Sequence, residues 1–314
     1  MIQKRNNKLI VILGPTASGK SDLAVKLARK FNGEIVCADS RQVYRGLSIG
    51  TASPVLQTPG LCKNRALGSV TVPHHLFNFR KPNKPLNVAT YKKMAKRAIK
   101  DIQKRGKMPF LVGGTGLYIK SIVDNLQFPK MKPSQKLRKE LEEKTAPQLF
   151  TIYKKLDVQG AKQIDKNNKR RLVRAIEVCQ ITGKPFWEQR EEATPLFDVL
   201  QIGIDVPKPE LEKRIIKRVE KMFKQGLEKE VKVLVKKYGW TPVLENTIGY
   251  SEFQGTWKEP SALYSRHSVP LKNLIALHTT QFAKRQMTWF KKDPKINWVK
   301  TEDQTKKLVI NFIN

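Results

Sequence analysis

The chain has 314 residues, of which 61 are lysine or arginine and 27 are aspartate or glutamate, so its formal net charge is +34 at pH 7. No apolar run reaches the roughly 18 residues that a membrane-spanning helix needs, and neither a signal-peptide pattern nor a CxxC or HExxH motif is present. We therefore expect a cytoplasmic protein that binds a polyanion, nucleic acid in particular, although solvated surface lysines are the alternative explanation of the charge.

The first part of the chain alternates short apolar runs with amphipathic segments. This alternation is typical of an α/β fold in which helices flank a parallel sheet. The segment 50–86 is rich in proline, glycine and threonine and is predicted to be mostly loop. The predicted elements are strands at 8–13, 34–38 and 108–112, and helices at 21–30, at 87–105 and from Leu117.

The pattern changes after residue 126. Helices and turns but no clear strand follow, so we predict an inserted helical domain at 127–197, with helices at 134–144, 147–155 and 169–181. A strand at 198–206 then returns the chain to the sheet. The remaining predicted helices lie at 209–225, 227–238 and 271–291.

Residues 14–21 read GPTASGKS and match the phosphate-binding pattern GxxxxGK[ST]. They lie between a predicted strand and a predicted helix, which is the context that the pattern requires. Backbone N–H groups of such a loop and the positive end of the helix attract phosphate oxygens. Lys20 adds a point charge, and the Ser21 hydroxyl is suited to bind Mg²⁺. The motif predicts a phosphate site but does not name the phosphorylated molecule.

Asp39 follows the second predicted strand and should lie in the crevice where open α/β sheets bind ligands. It is a candidate general base or Mg²⁺ partner, and an Asx-type cap of the following turn is an equal alternative. The third strand runs into GGTGLY at 113–118 instead of an acidic residue, unlike the Mg²⁺-binding strand of ATP-hydrolysing machines. Thr115 in that turn either caps the next helix or binds a phosphate.

Three basic stretches are candidates for contact with phosphates. Residues 169–178 read KRRLVRAIEV and predict a basic amphipathic helix. Arg214 and Arg218 share a helix face and can grip a diphosphate. Residues 282–290 read FAKRQMTWF, and their aromatic side chains can stack bases. The alternatives are solvated surface charge for the first two stretches and a buried core face for the aromatic residues.

Taken together, these segments resemble the tRNA dimethylallyltransferases, also called tRNA isopentenyltransferases. The order and spacing hold from about residue 8 to residue 298. The bacterial type is the closer match, since the zinc-finger extension of some eukaryotic relatives is absent. Further segments that carry the resemblance are DSRQVY at 39–44, IGTA at 49–52, PHHL at 73–76, and IGY at 248–250 followed by Glu252.

The resemblance implies a P-loop catalytic core at 1–126 and 198–314, with the insertion at 127–197 helping to clasp the tRNA anticodon stem-loop. It implies transfer of a dimethylallyl group from dimethylallyl diphosphate to N6 of the adenosine immediately 3′ of the anticodon, with Mg²⁺ as cofactor. Asp39 would be the general base, and Thr115 and Arg218 would act at the diphosphate. The expected diphosphate-binding residues are Gly14, Thr16, Ala17, Ser18, Gly19, Lys20, Ser21 and Arg214. The expected tRNA-binding residues are Ser40, Gln42, Lys169, Arg170, Arg171, Arg174, Lys284, Arg285 and Gln286.

Two positions depart from the family pattern, and three other functions remain open. Thr280 stands where the family usually has arginine, and Ser53 stands where it usually has lysine. The alternatives are a P-loop small-molecule kinase, a prenyltransferase that acts on free adenine nucleotides, and a non-catalytic RNA-binding protein. The basic insertion argues against the first two, and the intact P-loop with Asp39 argues against the third. We expect a monomer, since the sequence has no heptad pattern or obvious self-pairing strand.

Overall fold

The computed structural model of the chain describes residues 7–53, 56–58, 61–62, 72–129, 131–189, 193–258 and 270–314. Its strands are β1 (Lys8–Leu13), β2 (Gly33–Cys37), β3 (Leu56–Thr58), β4 (Leu61–Cys62), β5 (Val72–His75), β6 (Met108–Gly113), β7 (Asp198–Ile204) and β8 (Ile296–Val299). Its helices are α1 (Lys20–Lys30), α2 (Val88–Lys104), α3 (Gly116–Val123), α4 (Gln135–Glu142), α5 (Ala146–Leu156), α6 (Val158–Gln163), α7 (Lys169–Thr182), α8 (Lys208–Lys224), α9 (Leu227–Tyr238), α10 (Pro242–Glu245), α11 (Ser251–Lys258), α12 (Leu271–Phe290) and α13 (Glu302–Ile313).

The strands form one sheet in the order β3-β4-β5-β2-β6-β1-β7-β8. Six of these strands run parallel, namely β5, β2, β6, β1, β7 and β8. β3 and β4 add an antiparallel edge beside β5. Apolar strands such as β1, whose residues Leu9–Leu13 are fully buried, are typical of parallel sheets that are covered on both faces. The predicted α/β fold with helices around a parallel sheet is confirmed.

Side-chain alternation along β1 builds one core on each face of the sheet. Leu9 and Val11 belong to a cluster that includes residues of α2 and α3, among them Ile99. Ile10 and Ile12 belong to the opposite cluster, with residues of α1 and α13. The C-terminal ends of the strands and the loops that follow them are thereby held between two layers of helices.

The chain divides into two compact units, one made of 1–123 and 195–314 and the other of Asp124–Thr194. The second unit contains α4 to α7, and its core includes Leu149, Tyr153 and Ile176. Its described residues contain no strand, and the domain bounds 127–197 stay a prediction. Among the described residues of the whole chain, no helix is long and apolar enough to cross a membrane.

Several elements differ from the sequence-based expectation. The segment 50–86 contains β3, β4 and β5, although residues 54–55, 59–60 and 63–71 of it lie outside the described part. β5 was missed because it is only four residues long and contains a proline. The short elements α6, α10, α11 and β8, and the C-terminal helix α13, were also not predicted.

Candidate active site

The loop between β1 and α1 leaves several of its backbone amides without a partner among the described residues. Gly14 and Gly19 have positive φ values of 154° and 87°, and Ala17, with φ of 63°, takes a conformation that non-glycine residues rarely adopt. Such outliers persist where the surroundings enforce them, often at ligand sites. No described acceptor receives a hydrogen bond from the backbone N–H groups of Ala17, Gly19, Lys20 and Ser21.

Gln286 of α12 ties this loop to the turn after β6. The Thr16 backbone N–H donates to Oε1 of Gln286 at 2.9 Å, and Nε2 of Gln286 donates to the Gly114 carbonyl at 2.8 Å. The Gln286 side chain is buried. We predicted Gln286 among the tRNA-binding residues, and the structure instead gives its amide two backbone partners in the interior. Its place here is that of a residue that positions the P-loop.

Lys20, Asp39 and Arg218 bring three charges together at the mouth of the loop. The Lys20 ammonium donates to the Pro15 carbonyl at 3.1 Å. Burial lowers the pKa of Lys20 to about 8, with the Asp39 carboxylate opposing this shift and Arg218 adding to it. Burial also lowers the pKa of Arg218, again opposed by Asp39. Two partly desolvated cations at one place favour the binding of a multivalent anion.

The two oxygens of the Asp39 carboxylate have different surroundings. Oδ1 accepts hydrogen bonds from the backbone N–H groups of Arg41 at 2.8 Å and Gln42 at 3.3 Å. This is the Asx-type turn that the sequence allowed. No described residue donates to Oδ2. The turn therefore fixes the carboxylate and leaves one oxygen available, so the two interpretations of Asp39 are compatible.

Thr115 joins the ends of β2 and β6. Its hydroxyl accepts from the Ser40 backbone N–H at 2.9 Å and donates to the Ser40 hydroxyl at 3.3 Å, while its own N–H donates to the Ala38 carbonyl at 3.1 Å. Gly113 allows this approach, because a side chain there would overlap the Ala38 carbonyl. Thr115 thus holds the residues on both sides of Asp39 in the same crevice.

Gln42 and Arg218 meet at the carbonyl oxygen of Thr51. The Gln42 amide donates to it at 3.1 Å, and a guanidinium N–H of Arg218 donates to it at 3.1 Å. Arg214, one turn earlier on α8, pairs with Glu210 at 2.8 Å and approaches the Ser18 carbonyl at 3.5 Å. α8 therefore places Arg218 beside Thr51 and Arg214 at the rim of the P-loop.

A family model described as IPP transferase matches residues 42–293. The chain belongs to this family. A second model, described as Isopentenyl transferase, matches residues 7–59.

Named relatives of this IPP transferase agree with the family model. The tRNA dimethylallyltransferase of Picosynechococcus is 40% identical over 294 residues, which is 93% of each chain. The crystal structure of tRNA delta(2)-isopentenylpyrophosphate transferase from Staphylococcus epidermidis is 34% identical, with a TM-score of 0.66, and covers 98% of this chain and 99% of its own. The structure of a eukaryotic dimethylallyltransferase acting on tRNA is 28% identical, with a TM-score of 0.73, over 95% of this chain and 75% of its own. The protein is accordingly an enzyme of the prenyltransferase class.

In this IPP transferase the predicted Mg²⁺ ligand, Ser21, is the second residue of α1. Its side chain is exposed, and its hydroxyl has no partner among the described residues. Within the same described ranges, no group of three or more histidine, cysteine or acidic side chains can hold a metal. Mg²⁺ commonly takes only one or two protein ligands and completes its shell with phosphate oxygens and water. The donor set therefore fits a Mg²⁺ ion that arrives with a diphosphate.

The basic helix of the insertion is α7. Lys169, Arg170 and Arg171 are exposed on it, and the buried side chains of Leu172, Val173 and Ile176 form the predicted apolar face. The Lys169 ammonium donates to the Glu142 carbonyl at 2.5 Å. Arg174 departs from the expectation, since its guanidinium pairs at 2.7 Å with the fully buried Glu177. The charge of Arg174, one of the four predicted cations, is therefore partly neutralised by Glu177 of the same helix.

The aromatic segment of α12 divides between core and surface. Phe290 is buried in the sheet core, which agrees with the alternative that the aromatic residues form a buried core face. Phe282 and Trp289 remain 36% and 39% exposed, the Arg285 guanidinium lies over the Phe282 ring at 5.8 Å, and Lys284 on the same helix is exposed. The Trp289 ring covers Gly116, one residue from Thr115, where a side chain would have no room. This part of the surface thus combines the stacking and charged groups that RNA binding uses.

Proposed function

We propose that the protein transfers the dimethylallyl group of dimethylallyl diphosphate to N6 of the adenosine immediately 3′ of the anticodon in tRNA, releasing diphosphate. One observation carries the proposal. The Asp39 carboxylate, with one oxygen fixed and the other available, lies beside the partly desolvated Lys20 and Arg218 at the mouth of a P-loop. The names of the relatives, tRNA dimethylallyltransferase and dimethylallyltransferase acting on tRNA, support the acceptor and the group transferred.

The phosphate end of the site would stabilise the leaving group. As the bond between C1 of the prenyl group and the diphosphate oxygen breaks, that oxygen keeps the electron pair and negative charge grows on it. Amides of Ala17, Gly19, Lys20 and Ser21 are available to it, and Lys20 and Arg218 supply full charges. The same charges in water would be screened, whereas here partial burial strengthens them. Arg214 at the rim of this loop and the Thr16 hydroxyl within it complete the proposed diphosphate contacts, while the Thr16 backbone N–H already donates to Gln286.

Asp39 would act at the acceptor nitrogen. The lone pair of an adenine N6 is delocalised into the ring, so N6 is a weak nucleophile. Oδ2 of Asp39 accepts the hydrogen bond from N6–H, which raises the electron density on nitrogen, and takes the proton as the bond from N6 to C1 forms. Because Oδ1 is held by two backbone amides, the carboxylate needs no reorientation during the step.

Ser21 would bind Mg²⁺ together with oxygens of the diphosphate. When bound, the ion neutralises part of the charge on the leaving group. The Ser21 hydroxyl is exposed at the start of α1, beside the amides of the loop, which is the position such a ligand requires.

Two kinds of contact would hold the tRNA, namely contacts to the adenine and contacts to the phosphates. We propose that Ser40 and Gln42 lie against the adenine, since they follow Asp39 closely in the chain, and that the adenine leaves its stack to reach them. Phosphates of the anticodon stem-loop would meet α7 and the exposed part of α12. The cations proposed for the phosphates are Lys169, Arg170, Arg171, Lys284 and Arg285, with Arg174 contributing less because of its pairing with Glu177.

A transfer assay tests the proposal directly. The protein is mixed with Mg²⁺, radiolabelled dimethylallyl diphosphate and unmodified tRNA, with AMP and ATP as parallel acceptors. We expect label in tRNA alone, and nuclease digestion should yield it as an N6-prenylated adenosine. Label in AMP or ATP instead of tRNA would contradict the proposed acceptor, and no label in any of them would contradict the proposed reaction. The cytoplasmic location and the monomeric state stay predictions.

A further inference from the structure

The segment 48–53 connects the two halves of the proposed site. Its Thr51 carbonyl receives both the Gln42 amide and the Arg218 guanidinium, each at 3.1 Å. Gln42 is proposed to lie against the adenine and Arg218 at the diphosphate. One backbone oxygen is therefore a shared partner of the two side chains proposed to act at the adenine and at the diphosphate.

This segment has no helix or sheet of its own, and a carboxylate from α9 holds it. Glu230 accepts hydrogen bonds from three successive backbone N–H groups, those of Ser48 at 3.1 Å, Ile49 at 2.8 Å and Gly50 at 3.2 Å. Charge-assisted bonds of this kind are stronger than those between neutral groups. Glu230 thus fixes the backbone immediately before Thr51.

Tyr250 fixes Glu230 in turn. Its hydroxyl donates to Oε1 of Glu230 at 2.6 Å, and its ring is fully buried against Gly50, where a side chain would overlap it. Burial, together with the neighbouring carboxylate, raises the pKa of Tyr250 well above its usual range, so the hydroxyl stays a donor. The chain of contacts runs from Tyr250 through Glu230 and segment 48–53 to both proposed substrate-binding side chains.

We propose that Glu230 is a positioning residue for prenyl transfer, which aligns Gln42 with Arg218 through the backbone at 48–51. This rests on the proposed function, because Gln42 and Arg218 take their roles from it. Glu230 itself touches neither proposed substrate group, so its loss should disturb alignment more than binding. Misplacement of reacting groups by about 1 Å can lower a rate by about 100-fold.

The test compares Glu230→Gln with Glu228→Gln. Glu228 lies in the same first turn of α9, is exposed and pairs with Lys232 at 2.7 Å, so it controls for the loss of one negative charge from this helix. We expect Glu230→Gln to lower kcat for tRNA prenylation by about 10- to 100-fold at a temperature well below its thermal midpoint, with tRNA affinity close to that of Glu228→Gln. Glu230→Asp, which keeps the charge on a shorter side chain, should recover part of the lost rate.

Amide hydrogen exchange gives a readout that does not depend on catalysis. In Glu230→Gln the amides of Ser48, Ile49 and Gly50 should exchange faster than in the parent protein, while those of the buried strand β1 should not change. Unchanged exchange at 48–50, or kcat within twofold of the control, would overturn the proposal. A fall in tRNA affinity and thermal midpoint with unchanged kcat would also overturn it, since that pattern is structural.

A second variant and the activity of the parent protein make the outcome interpretable in every case. If Glu230→Gln does not fold, Tyr250→Phe removes only one donor to the carboxylate and should still lower kcat by about threefold or more; an unchanged kcat would count against the proposal. Failure of the proposed function is recognised separately, because the parent protein would then transfer no label to tRNA, whereas the exchange experiment would still report on Glu230.

Discussion

Replacement of Asp39 by asparagine separates the proposed role of this side chain as general base from its role in the Asx turn. In Asp39→Asn the side-chain carbonyl oxygen can still accept from the backbone amides of Arg41 and Gln42, so the Asx turn is kept, while the available oxygen becomes an NH₂ group that cannot take a proton. General-base catalysis contributes about 10²- to 10⁴-fold, or about 2.7 to 5.4 kcal/mol of barrier. We therefore expect kcat to fall by that factor with little change in stability.

Asp39→Ala is the matched comparison. It removes the base and also both turn hydrogen bonds, each worth about 0.5–1.5 kcal/mol, so the free energy of unfolding should fall by about 1–3 kcal/mol. The two variants should share the loss in kcat and differ in stability. The Asp39→Asn variant should bind tRNA as the parent protein does.

The assay is a single-turnover transfer to tRNA with enzyme in excess, together with filter binding of tRNA and denaturant unfolding. It should be run near pH 7, because Asp39 raises the pKa of Lys20 and its removal lowers that pKa further below about 8. At pH 7 the loss of charge on Lys20 then contributes less to the fall in rate than it would at higher pH. If Asp39→Asn kept more than a tenth of the parent rate, Asp39 would not be the general base.

The phosphate site, the insertion and the P-loop contact of α12 each give a further expected outcome. Since Lys20 has a pKa of about 8 and must be charged to attract diphosphate, kcat/KM for the prenyl donor should fall as pH rises through about 8, by about tenfold per pH unit; a flat profile from pH 7 to 10 would count against its role. Arg170 and Arg171 should contact tRNA phosphates, so replacing both with alanine should reduce the slope of log affinity against log salt by about 1–2, whereas replacing the exposed Lys154 should not. Gln286→Leu leaves two backbone groups without partners, so the free energy of unfolding should fall by about 1–3 kcal/mol for each, and an unchanged midpoint in denaturant would contradict the positioning role.

The elements that were predictable are those that local pattern alone specifies. The apolar run 8–13 and the cap at Asn87, whose side chain accepts from the Thr90 N–H at 2.8 Å, need no distant partner to be recognised. The GKS motif likewise carries its own backbone geometry. The fold class and the placement of Lys20 and Asp39 in one crevice followed from these signals.

The features that were missed depend on contacts between distant residues. Glu230 is one of several charged residues on α9, which carries both lysines and glutamates. Its three backbone N–H donors come from segment 48–50, about 180 residues earlier in the chain, so the sequence does not reveal them. Gln286 sits in a sequence that suggests RNA contact, and its burial appears only when α12 packs beside the P-loop. β8 is four residues long, so its pairing with β7 could not be seen from periodicity.

The order of the strands has a consequence for synthesis on the ribosome. β1 is the first strand to be made, and in the finished sheet it lies between β6 and β7, with the whole unit Asp124–Thr194 intervening in the sequence between them. That unit is continuous in the chain and is complete before β7 emerges, whereas β1 keeps one unpaired parallel edge until then. An open edge of this kind invites pairing with other chains. Truncation near residue 194 should therefore yield a product in which one edge of β1 stays open and which aggregates through that edge.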